Sequence, residues 1–167
     1  MHYIKTKIED CFKLKLNKFV DKRGIFIKVF SDNIFKNKKI KIRQVNFCNF
    51  KKKNILRGFH YQIKPKEEVK IVFCTSGKCA IHILDLRKNS STYKKNVTIN
   101  LKKNKNFAAI IPKGCPNAFQ SLEKDSSLLY FSSNEYYPKY ERRLNFKNKL
   151  IKINFPKNLI LSKKDIN

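Results

Sequence analysis

The sequence predicts an all-β domain whose short antiparallel strands close into a double-sheet jelly roll, and three observations point there. Stretches rich in β-branched and aromatic residues recur at 26–30, 40–47, 68–75, 79–86, 93–101, 107–111 and 127–132. Several alternate apolar and polar side chains with period two, the signature of a strand with one face buried. Amphipathic helical spacing is lacking before the last third of the chain, where short helical segments are expected.

Taken in order, Asp21 to Gly24 supplies a tight turn that delivers residues 26–30, and 40–47 follows as the next strand. Residues 69–73 alternate within 68–75, and Ser76-Gly77 reverses the chain into 79–86. A polar turn at Lys88 to Ser91 leads to 93–101, in which Val97-Thr98-Ile99-Asn100-Leu101 alternates strictly. Pro112-Lys113-Gly114 ends 107–111, and 127–132 completes the set. Left as an open sheet, such strands would expose pairing edges, and folding them into two packed sheets limits that hazard.

At 167 residues, with 41% hydrophobic and 13% aromatic residues, the chain suits one domain with a real core. No apolar run is long enough to span a membrane, and the charged start, Met1 to Asp10, does not read as a signal peptide, so a cytoplasmic protein is expected. The five cysteines are odd in number and scattered, which predicts reduced, mostly buried thiols rather than a disulfide framework. A net charge of +27 is the usual footprint of a nucleic-acid binder. Here, however, the basic residues are mostly lysine, the arginines being only Arg23, Arg43, Arg57, Arg87, Arg142 and Arg143, and the lysines run from Lys5 to Lys164 without gathering into a stripe. That pattern predicts a solvated surface and no nucleic-acid partner.

Of the three histidines, His2 lies near the terminus and His82 falls inside an apolar strand, where a structural role is expected. His60 differs: Leu56-Arg57-Gly58-Phe59-His60-Tyr61-Gln62 presents a cation, a glycine and a titratable ring beside aromatic cover. Burial and nearby cations would keep its imidazole neutral at pH 7, as a general base requires. Jelly rolls of the cupin type hold a metal through His-x-His, a nearby Glu and a further His after a Pro-x-Gly turn. Here those places read His60, Gln62, Glu67 and Asn117. Amides are weak ligands for transition metals, so no metal and no cofactor is expected.

These segments together resemble the dTDP-4-dehydrorhamnose 3,5-epimerase family over nearly the whole chain. The resemblance rests on Asp21 to Phe26, Gln44-Val45-Asn46, Leu56 to Gln62, Lys70-Ile71-Val72, Asp85-Leu86-Arg87 with Ser91-Thr92-Tyr93, Ile111 to Gly114, Tyr130, Tyr136, Pro138 to Glu141 and Leu161 to Asp165. It implies a nucleoside-diphosphate 4-keto-6-deoxy sugar as substrate, inverted at C3, C5 or both through an enolate. His60 would remove the proton, Tyr130 return one from the other face, Lys70 stabilise the enolate oxygen, and Asp165 orient the imidazole. Arg57 would bind the diphosphate with Gln44, Asn46, Asn117 and Tyr136 nearby. Arg23 and Phe26 would hold the nucleoside of a neighbouring subunit in a homodimer with a shared active site. The chain departs from the family pattern at Lys28, in place of a Glu near the nucleoside, at Ile81, in place of an Asp near the lysine, and at Asn117, in place of a His beside the C4 oxygen. The alternative these departures raise is a degenerate cupin that binds nucleotide sugars without turning them over.

Overall fold

A computed structural model describes residues 2–31 and 40–166. The larger sheet has six strands in the order β1 (His2–Lys5), β2 (Phe12–Lys15), β10 (Phe107–Ile111), β7 (Lys70–Ser76), β12 (Ser126–Ser132) and β5 (Gln44–Phe50). The second has five, in the order β13 (Glu141–Arg143), β6 (Leu56–Gln62), β11 (Asn117–Ser121), β8 (Lys78–Leu84) and β9 (Asn96–Lys102). A hairpin of β3 (Lys18–Asp21) and β4 (Gly24–Ile27) stands apart from both. All pairings between these strands are antiparallel, and β7 and β8, joined by Gly77, lie in different sheets. This is the expected jelly roll.

Strand alternation decides what each sheet buries. Val72 and Cys74 of β7 point inward to meet Ile81, Ile83, Ile99, Leu101, Phe119 and Leu128 between the sheets. Ile71 and Phe73 point the other way, joining Leu14, Ile110 and Phe131 on the outer face. Ile40 and Ile42 pack there as irregular chain, so the strand expected over 40–47 begins only at Gln44. Likewise 26–30 ends as strand at Ile27, and 93–101 begins at Asn96. The C-terminal stretch supplies Phe146, Ile153, Phe155 and Leu161 as cover for Leu56, Phe59 and Ala118 of the five-stranded sheet. Among the described residues, helix is confined to a 3₁₀ turn at Pro138–Tyr140 and α1 (Lys163–Ile166).

Two polar residues of the sequence motifs are structural. Asp85, fully buried, accepts hydrogen bonds from Arg87 Nη2 at 2.8 Å, Ser90 at 2.6 Å and Thr92 at 2.7 Å. Burial alone would raise its carboxyl, but these bonds outweigh burial and hold it well below the usual carboxylate range. His82 is buried between Thr98 and Gln120, both 2.9 Å from its ring nitrogens, in the structural place expected of it. The cysteines are free thiols, four of them buried and Cys48 half-buried. No helix among the described residues is long and apolar enough to cross a membrane.

Candidate active site

β6 carries the most informative motif, and an irregularity in it builds the site. His60 pairs with Asn117 and Arg57 with Phe119, so three residue steps on β6 oppose two on β11, which is a bulge. Regular alternation would send Arg57 and His60 to opposite faces, whereas here both line one cavity and Phe59 between them is buried under the C-terminal cover. Gly58 makes this possible. Its φ is +125°, and a Cβ there would lie 2.5 Å from the Asn117 carbonyl oxygen and 2.6 Å from Ala118 Cα. The glycine of the motif is thus needed for close strand approach.

The cavity, of about 600 Å³, opens between the two sheets and brings together His60, Lys70, Tyr130, Asp165, Arg57 and Asn117. His60 Nε2 lies 2.8 Å from Asp165 Oδ1, close but off the line of a well-formed N–H hydrogen bond. Asp165 is fixed in turn by Ser162, whose hydroxyl donates to Oδ2 at 2.6 Å in the first turn of α1. On the other side of the ring, Nδ1 is 3.7 Å from Glu141 Oε1, and Arg143 clamps Glu141 Oε2 through Nε at 2.9 Å and Nη2 at 2.7 Å. The two carboxylates would raise the imidazole, but burial, aided by Arg143, wins and lowers it. Across the gap, burial foremost pushes the Tyr130 phenol up to about 12, with Cys48 and Glu68 adding to it. A neutral imidazole thus faces a protonated phenol from the opposite sheet, the separation of proton affinities an acid–base pair needs.

A smaller adjoining cavity shares His60, Lys70 and Tyr130 and is lined further by Gln44, Asn46, Tyr136 and Glu141. Register accounts for the cluster, since Gln44, Ser132 and Lys70 form one row across β5, β12 and β7, with Asn46, Tyr130 and Val72 in the next. Gln44 is committed within the protein: its Nε2 donates to Asn46 Oδ1 at 2.7 Å, and its Oε1 accepts the Tyr136 N–H at 2.8 Å.

Asn117 lines the cavity with its amide already engaged. Its Nδ2 donates to the His60 and Cys115 carbonyls at 3.0 and 3.1 Å, so both amide hydrogens are used and only Oδ1, an acceptor, is left for a ligand. Gln62, at a metal-donor place of the cupin pattern, borders the smaller cavity and spends its amide on clamping the 135–137 loop. It accepts the Tyr137 N–H at 2.6 Å and donates to the Lys66 and Glu135 carbonyls. Glu67, at another donor place, lines a separate cavity with Arg87 and Lys113. Arg23 and Phe26 lie on the hairpin, outside the catalytic cavity of their own chain, with Arg23 held by Asp21 at 2.6 Å. Sequence reasoning missed Glu68, Glu141 and Arg143 as cavity groups. The alternation of Glu141 and Arg143 about Arg142 was the available signal.

The fold is a jelly roll whose cavity between the sheets gathers a histidine, a tyrosine and a lysine. Residues 5–167 match the family model for dTDP-4-dehydrorhamnose 3,5-epimerase, and the chain belongs to that family, whose members are isomerases. The dTDP-4-dehydrorhamnose 3,5-epimerase of Shigella flexneri is 34% identical over 100% of this chain and 94% of its own length. The crystal structure of the Sulfolobus tokodaii enzyme of that name superposes with a TM-score of 0.87 at 35% identity, covering 99% of this chain and 93% of the other. A Legionella pneumophila dTDP-6-deoxy-D-glucose-3,5-epimerase, solved with dTDP-4-keto-L-rhamnose, superposes with a TM-score of 0.91 at 25% identity, covering 98% and 89%.

Proposed function

We propose that this chain epimerises a nucleoside-diphosphate 4-keto-6-deoxy sugar, dTDP-4-dehydro-6-deoxyglucose being the first candidate, by side-chain proton transfer without a cofactor. The observation that carries this reading is the placement of His60 and Tyr130 on facing sheets with Lys70 beside them. A proton next to the C4 ketone passes to neutral His60, and the C–H electron pair becomes an enolate whose charge settles on the C4 oxygen. Tyr130 then protonates the same carbon from the opposite face, inverting it, and solvent exchange restores both groups. Positioned proton transfer contributes about 10²–10⁴-fold. Lys70 meets the developing oxyanion, a role of the kind whose loss costs about 3–4 kcal/mol. Asp165 favours the Nε2–H tautomer and so leaves the Nδ1 lone pair as base, the orienting logic of hydrolytic triads.

Arg57, reaching the mouth beside Lys164 and Arg143, supplies charge for the diphosphate. Asn46 and Tyr136 border the sugar and base, and Gln44 acts by holding Tyr136. The active unit in this reading is a cytoplasmic homodimer. The hairpin exposes Phe19, Val20, Ile25 and Phe26, and edge strand β5 exposes Val45 and Phe47, apolar area that a second copy would cover. In that assembly Arg23 and Phe26 reach the partner's cavity to hold the nucleoside.

Proton NMR of dTDP-4-keto-6-deoxyglucose with the protein in D₂O tests the reading. Deuterium entering C3, C5 or both, and lost in His60→Ala, is expected. Binding without exchange for thymidine- and guanosine-linked 4-keto sugars alike would favour a nucleotide-sugar binder and overturn the enzyme.

A further inference from the structure

The family resemblance implies a carboxylate at position 81 and a histidine at 117 near Lys70, where this chain has Ile81 and Asn117. Ile81 is completely buried among apolar neighbours. The Asn117 amide has spent both its hydrogens on backbone carbonyls. Lys70 is therefore the one group of this trio that can meet negative charge on the C4 oxygen. A long ammonium stem in a water-poor pocket needs a partner to hold it charged and in place.

That partner comes from Lys70's own strand. Glu68 lies two residues earlier, where the chain enters β7, a spacing that puts both side chains on one face. Its Oε1 is 3.1 Å from Lys70 Nζ, and the two side chains are only 11% and 13% exposed. The stretch between them is tied down, the Val69 N–H donating to Ser133 Oγ at 2.8 Å and the Ser133 N–H to the Val69 carbonyl at 3.0 Å. Both ends of the pair line the cavity that holds His60 and Tyr130.

We propose that Glu68 is the positioning residue for Lys70, a carboxylate supplied from the catalytic strand in place of the one absent at Ile81. Glu68 holds the ammonium from one side as an ion pair, and Lys70 still lines the cavity with His60 and Tyr130. Because the pair is neutral overall, the Lys70 charge is compensated where it is buried, and the cation is in place before the enolate forms. This assignment rests on the epimerase reading and deepens it.

Glu68→Gln keeps the shape and removes the charge. In the sugar-exchange assay kcat should fall about 10–100-fold with KM within about threefold, the pattern of a misplaced group that acts in the transition state. Glu68→Asp should recover part of the loss. Glu67→Gln, one residue away and facing another cavity, should behave as wild type. In parallel, the Lys70 ammonium resonance of ¹⁵N-lysine-labelled protein, assigned with Lys70→Arg, should move in Glu68→Gln and stay put in Glu67→Gln. A Glu68→Gln protein whose kcat stays within about twofold of wild type overturns the proposal, whatever its melting temperature. Wild-type protein that exchanges no deuterium overturns the reaction instead, and the ammonium resonance then decides the pairing alone: no movement in Glu68→Gln overturns that too.

Discussion

Gly58→Ala is the sharpest single perturbation of this architecture. At φ +125° an L side chain is strained, and its Cβ would sit 2.5 Å from the Asn117 carbonyl oxygen and 2.6 Å from Ala118 Cα, with Ala118 Cβ at 2.8 Å. All three are strand atoms without a flexible end to swing aside, so β6 and β11 must part by the better part of an ångström. The disfavoured backbone costs about 1–3 kcal/mol and overpacking about as much again, so a loss of about 2–6 kcal/mol follows. For a domain of this size that lowers the melting temperature by about 4–24 °C. The bulge that places Arg57 and His60 on one face lies at this glycine, so deuterium exchange per folded molecule should also fall, by about tenfold or more. Circular dichroism melts and D₂O exchange on the soluble fraction measure both. A melting point within about 2 °C of wild type together with unchanged exchange would refute the close-approach argument.

The pH profile of kcat/KM should rise through a value below the ordinary imidazole pKa of 6.5, because burial lowers His60, while the limb belonging to Tyr130 should lie far to the alkaline side, near 12. An acid limb centred above 6.5 would refute the balance given for His60. Gln62→Leu leaves the Tyr137 N–H and the Lys66 and Glu135 carbonyls without their clamp, and a loss of about 2–4 kcal/mol in urea denaturation is expected. His82, lowered by burial, binds its proton more readily unfolded than folded, so folding stability should fall as pH drops below 6.5, by up to about 1.4 kcal/mol per pH unit. His82→Leu should flatten that slope, as chemical denaturation across the pH range would show.

Much of the fold was legible because inward and outward positions differ in polarity. β7 and β9 declare themselves in this way, as Val72 and Leu101 point to the core while Thr98 and Asn100 face water. β6 does not, since its bulge breaks the alternation and its cavity face carries Arg57 and His60. Its chemistry was readable as a motif while its strand character was not. β11 was hidden differently, for its Asn117, Gln120 and Ser121 are polar yet buried, each satisfied by a distant partner. The same limit applied to the site. His60, Lys70, Tyr130 and Asp165 were found through sequence resemblance and do converge, but Glu68 becomes meaningful only once its distance to Lys70 is known. The two backbone bonds that engage the Asn117 amide are likewise invisible in the sequence.

The gap between the sheets is itself a working dimension of the molecule. His60 rides on one sheet and Tyr130 on the other, and the interlayer spacing is set by the apolar side chains wedged between them, among them Val72, Ile81 and Phe119, the last of which meets the Tyr130 ring edge-on at 5.4 Å. Under the proposed chemistry those core residues act as a caliper closed on a sugar ring. Trimming Ile81 to valine would touch neither acid nor base, yet it would alter the jaw opening. Its readout would be the ratio of inverted to returned product, because a carbon reprotonated from the side it was deprotonated on has not been epimerised at all.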